Sequence, residues 1–76
     1  MNAIVHKGDR IRITGILPND PAPLAIGEEG TVQAVYNQGD SYEQIVVKWD
    51  SGRSLMLVPG DPFAVIGFGA AVDDAR

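Results

Sequence analysis

Residues 46–60, VVKWDSGRSLMLVPG, decide the reading of this chain. β-Branched residues run into an aromatic at Trp49, Asp50-Ser51-Gly52 follows, and a second apolar run starts at Leu55. Glycine accepts the positive φ that tight turns require, so the stretch reads as strand, turn and strand. Ile45, Val47 and Trp49 fall on one face of the first of these strands, because side chains alternate with a period of two. The pattern predicts a tryptophan ring that caps an apolar core, its indole N–H turned to a carbonyl or to water at the edge. The competing reading sets Trp49 on a groove with Tyr36 or Tyr42, an aromatic platform for a peptide, a cation or a base. Asp50 is expected to accept backbone N–H groups across its own turn.

Outward from this corner the chain keeps the same grammar. Toward the N-terminus, NQGDSYE at 37–43 is dense in turn formers and links QIVVKWD to GTVQAVYN at 30–37, which alternates again. There Val32, Ala34 and Tyr36 are expected on one side, Gln33 and Val35 on the other. Further upstream, GDRIRITGI at 8–16 alternates Ile11 and Ile13 with Arg10 and Arg12, a half-buried strand with a basic outer face. Between them Pro18, Pro21 and Pro23 interrupt both helix and ladder, so 17–30 is expected to hold a stiff, partly extended loop. Its Pro18-x-x-Pro21 spacing is one that polyproline-binding domains recognise, but a barrel loop is the more economical account. Toward the C-terminus, Pro59-Gly60-Asp61-Pro62 is a break, expected as one helical turn, before FAVIG forms a fifth strand. Five short strands with glycines at the corners indicate an all-β barrel or sandwich, and at this length a closed barrel leaves fewest open edges. Residues 1–67 are expected to form it, with 68–76 an extension held by a partner or a neighbouring copy.

Composition narrows the function. A chain of 76 residues has room for one core, and with no cysteine and a single histidine it lacks both a disulfide and the makings of a zinc site. Calcium would want more oxygens than the acidic corner at Glu28-Glu29 offers, and no cofactor motif is present: GEEGTVQAVYNQGD lacks the lysine of a phosphate loop. No nucleophile, base and orienting group can be nominated together, so no catalysis is expected. The N-terminal MNAIVHKGDRIRI has no run apolar enough for a signal peptide and no segment is long enough to span a membrane; a soluble, cytoplasmic protein is expected. Ten acidic against six basic residues give a net charge of −4. That balance opposes a general nucleic-acid coat, because phosphate contacts supply most non-specific affinity. A local basic face remains to be weighed: of Lys7, Arg10, Arg12, Lys48 and Arg53, several are expected on one outer face of a small barrel, either as a surface for a phosphate or an acidic partner or as an ordinary solvated face paired with Asp9, Asp50 and glutamates.

Taken as a set, KGDRIRI at 7–13, NDPAPLAIGEEGTVQAV at 19–35, VVKWDSGRSLMLVPG at 46–60 and DPFAVI at 61–66 resemble the domain of unknown function 4314 family, small proteins of bacteria, phages and mobile elements. The family usually carries Asn before the turn glycine, where this chain has Ser51. The resemblance implies an SH3-like barrel and a bacterial, phage or mobile-element setting. It carries over no catalytic residue and no cofactor. The G-x-x-G-T-V and W-D-x-G features also look like those of other small barrels, including KOW and MIB/HERC2-type domains, which bind nucleic acid or protein, a likeness of fold that does not fix function.

The functional expectation is therefore a non-enzymatic protein-binding or assembly module, self-association included, as a phage structural component or a host-directed factor. Its candidate contacts are Trp49, Tyr36 and Tyr42 with Arg10, Arg12, Lys48 and Arg53. The alternative is a KOW-like nucleic-acid binder that uses those four basic residues.

Overall fold

The computed structural model describes residues 4–17 and 23–68. Residues 18–22 of the Pro-rich loop and residues 69–76 of the tail lie outside the described residues. The chain is all-β: β1 (Arg10–Ile13), β2 (Glu29–Tyr36), β3 (Gln44–Trp49), β4 (Ser54–Leu57) and β5 (Phe63–Gly67) form one antiparallel sheet in the order β4-β3-β2-β1-β5. Every turn but one joins neighbours in the sheet; β5 returns from β4 to the far side of β1. This order is compatible with the expected SH3-like barrel. β4 and β5 are the outer strands, and no ladder among the described residues joins them.

One face of the sheet holds the core. Val5, Ile11, Ile13, Leu17, Leu24, Val32, Ile45, Val47, Trp49 and Leu57 are buried together, with Val35, Leu55, Phe63 and Val65 packed against them. Alternation accounts for β1, β3 and β4, where each inward residue is followed by an outward one. In β2 alternation breaks. Val32 pairs with Val47 but Ala34 pairs with Val46, so Gln33 is an extra residue, a β-bulge. The bulge shifts the face of everything beyond it. Val35 turns toward the core and Ala34 and Tyr36 turn outward, which corrects the expected grouping of Tyr36 with Val32.

The corners follow their local chemistry. Gly52 has φ +90° and donates its N–H to the Trp49 carbonyl at 2.9 Å, closing the β3–β4 turn. The break before β5 is a turn and not the expected helical one: Asp61 N–H reaches the Val58 carbonyl at 3.1 Å, Gly60 supplies φ +96°, and Asp61 Oδ2 accepts the Val58 N–H at 3.0 Å. Proline at 59 and 62 and a left-handed glycine between them suit a single reversal and give no helix to propagate. Upstream of β1, Asp9 is buried in a turn where its carboxylate accepts the His6 N–H at 2.8 Å. Gly8 N–H to Val32 O at 2.7 Å and Val32 N–H to Asp9 O at 2.8 Å tie this turn to β2.

Candidate functional site

The register places Arg10, Thr31, Lys48 and Ser54 in one row across β1, β2, β3 and β4, all on the face opposite the core. Arg12 and Glu29 form the next row. The basic face expected from sequence therefore exists, but it arrives with its counter-charges. Arg10 forks onto Asp50, Nη1 to Oδ1 at 2.9 Å and Nη2 to Oδ2 at 2.6 Å, and also donates to Thr31 Oγ1 at 3.0 Å and Glu29 Oε1 at 3.3 Å. Arg12 donates from Nε and Nη2 to Glu29 Oε2 at 3.1 and 3.0 Å. Two guanidinium groups and two carboxylates thus form one chain of ion pairs.

Two expectations for this corner change. Asp50 does not serve its own turn: its N–H donates to the Glu29 carbonyl at 2.9 Å and its carboxylate holds Arg10. Glu28-Glu29 is not merely a solvated corner, since Glu29 lies in β2 between both arginines and Glu28 Oε2 accepts the Ser51 N–H at 3.2 Å. Asp9, buried in its turn, takes no part in this outer face. The bidentate hydrogen bonds from Arg10 hold the Asp50 carboxyl below its ordinary value of 3.8, opposed by partial desolvation and helped by the guanidinium charge. The same hydrogen bonds to Asp50 raise Arg10.

A depressed carboxylate stabilises the fold at all pH values above its unfolded pKa and loses that contribution as pH falls through the folded one. We therefore expect the stability difference between the wild type and Asp50→Asn to be constant above pH 3.8 and to shrink below it, measured by urea denaturation across the acid range. Added salt should reduce the difference, since the pair is solvent-accessible.

The other candidates are dispersed. Lys48 is exposed on the outer face, without an ion pair among the described residues. Arg53 lies past the β3–β4 turn and donates to the Pro23 carbonyl at 3.5 Å. Trp49 is 1% exposed, and its Nε1–H donates to the Leu55 carbonyl at 2.9 Å, so ring and donor are both spent inside the fold. Tyr36 and Tyr42 are exposed at the opposite end of the β2–β3 ladder, where Tyr36 pairs with Gln44 while Trp49 pairs with Gly30. Five residues of extended strand, about 17 Å, separate the two ends. The shared aromatic platform is therefore not formed.

What sequence reasoning missed is the other half of the outer face. Beyond the bulge, Ala34, Val46 and Met56 are aligned across β2, β3 and β4, with Tyr36 at one corner and Val58 two residues past Met56 along the chain. Met56, Val58 and Tyr36 are 48%, 45% and 56% exposed. The outer face is thus charged and self-neutralised over β1 and the start of β2, and apolar over the end of β2 and β4. Alternation along β3 and β4 already turns Val46 and Met56 outward; what it does not show is the row they form with Ala34 and Tyr36, because the bulge in β2 sets that.

The geometry defines a small all-β domain with an ion-paired outer surface beside an apolar patch. This chain belongs to the family described as Domain of unknown function (DUF4314), whose model matches residues 4–66. Among the curated proteins and the solved structures, nothing matches it. Among the described residues no three His, Cys, Asp or Glu gather as metal ligands, and no helix is long and apolar enough to cross a membrane.

Proposed function

We propose that this protein is a non-enzymatic protein-binding or assembly module that docks through the outer apolar patch of Ala34, Val46, Met56, Val58 and Tyr36. The carrying observation is the patch itself: exposed Tyr36, Met56 and Val58 beside half-buried Ala34 and Val46, on three adjacent strands and the residue after β4, rimmed by Lys48 and the arginine–carboxylate chain. A contiguous apolar surface with a polar rim is the usual signature of a protein contact. The arginines favour the same reading. Arg10 and Arg12 already hold carboxylates, so a phosphate would have to displace Asp50 and Glu29 to reach them. The occupant is a partner protein with its own apolar surface, or a second copy of this chain. The resemblance to small proteins of phages and mobile elements is what supports extending this reading to a phage particle or a phage factor acting in the host cytoplasm.

Met56→Asp tests the reading. Met56 points away from the core, so the variant is expected to keep the wild-type thermal midpoint within a few degrees while losing its partner, or its self-association in sedimentation equilibrium. Retention of the same assembly by a folded Met56→Asp protein would overturn the proposal.

A further inference from the structure

A second feature lies in the β2–β3 connection, just past the Tyr36 corner of the outer patch. Two turns close that connection in succession, with Asp40 N–H on the Asn37 carbonyl at 3.0 Å and Glu43 N–H on the Asp40 carbonyl at 3.1 Å. They deliver Glu43 into the protein: it is 5% exposed, among the most buried charged residues described. Yet its carboxylate has no hydrogen-bond or ion-pair partner among the described residues. A fully sealed carboxylate in that state would be costly, and none of the buried side-chain oxygens described is left without a partner. The Glu43 oxygens therefore keep contact with solvent, and Glu43 is one of the residues lining a groove of about 430 Å³, with Ile4, Gln38, Asp40, Ser41 and Pro59.

We propose that this groove binds an alkylammonium group, as carried by a lysine side chain or a polyamine. Three properties select that chemistry. The recessed charge is negative and unpaired, and Asp40 adds a second carboxylate, of which Oδ1 is held by Ser41 Oγ and Tyr42 N–H at 3.2 Å each. No third metal ligand is present among the described residues, so the site falls short of the oxygen set a calcium ion takes. Ile4 and Pro59 supply apolar walls, which a methylene stem can line while its charged head reaches the carboxylate. Gln38 is fixed by its Nε2–H bond to the Val5 carbonyl at 2.8 Å, which anchors the turn to the chain beside Ile4. Ammonium and recessed carboxylate form a charge-assisted hydrogen bond where solvent screening is reduced. The groove shares no lining residue with the outer patch, so its failure leaves the docking proposal standing.

The test is a titration of the ¹⁵N-labelled full chain with n-butylammonium chloride, followed by amide chemical shifts, with n-butanol and sodium chloride as parallel titrants. Saturable shifts confined to residues 38–43 and the neighbourhood of Ile4 and Pro59 are expected with the amine alone. In Glu43→Gln, which preserves the shape, apparent affinity should fall about tenfold or more, the loss expected for a charge-assisted hydrogen bond. Equal shifts with n-butanol or sodium chloride, no saturable shift, or unchanged affinity in Glu43→Gln would each overturn the site. Should that variant not fold, the contrast between amine and alcohol on the wild type decides by the same criteria. Nα-acetyl-lysine methylamide and spermidine, compared at equal concentration, then distinguish a protein lysine from a free polyamine as the better occupant.

Discussion

Replacing Trp49 by Ala is expected to unfold this domain at ordinary temperature. Truncating a buried tryptophan costs about 3–5 kcal/mol, and a chain of this size holds roughly 4–11 kcal/mol in total. Trp49 is 1% exposed and packs beneath Gly30, so the void would open in the core under the β2–β3 ladder. The Leu55 carbonyl would also lose the indole donor it holds at 2.9 Å. Circular dichroism during thermal or urea denaturation reads the outcome. A cooperative transition at the wild-type midpoint, with only partner binding lost, would contradict a structural role for the ring.

The second large effect is expected at Gly30→Ala. An added Cβ there would lie 2.7 Å from Val47 Cγ1, 2.8 Å from Trp49 Cε3 and 2.9 Å from the Lys48 carbonyl oxygen. The two side chains have little room to retreat, and the carbonyl belongs to a neighbouring strand. We expect destabilisation near the upper end of the overpacking range, about 3 kcal/mol. The urea midpoint should fall with the slope unchanged. A wild-type midpoint would show that β2 and β3 move apart at little cost, and that the fit of Trp49 against Gly30 matters less than its burial.

These two residues also mark what the sequence made legible. The β1 and β3 faces could be read because Ile11, Ile13, Ile45, Val47 and Trp49 keep strict alternation, and the Trp49 corner because glycine at 52 signals its turn. The ion-paired face was half legible: opposite charges were countable, but their pairing depends on register. Only the structure shows that Asp50 meets Arg10 across the sheet while Asp9 turns inward. Gly30 looked like an ordinary corner glycine, since the approach of Trp49 is a property of the β2–β3 pairing. The bulge at Gln33 and the burial of Glu43 were not legible at all. A bulge adds one residue without altering composition, and a recessed glutamate is written exactly as an exposed one would be.

Two properties set the function proposed for this domain: an apolar patch that is a protein contact and an arginine face closed to phosphate. Quantitative affinity capture of the tagged protein from its native host or infected cells, with and without nuclease and across a salt series, tests both at once. The account predicts that one defined protein, or the chain itself as an oligomer, survives nuclease and high salt with wild-type bait and is lost with Met56→Asp. Recovery dominated by nucleic acid, falling steeply with salt and weakened by charge reversal at Arg12, would contradict it.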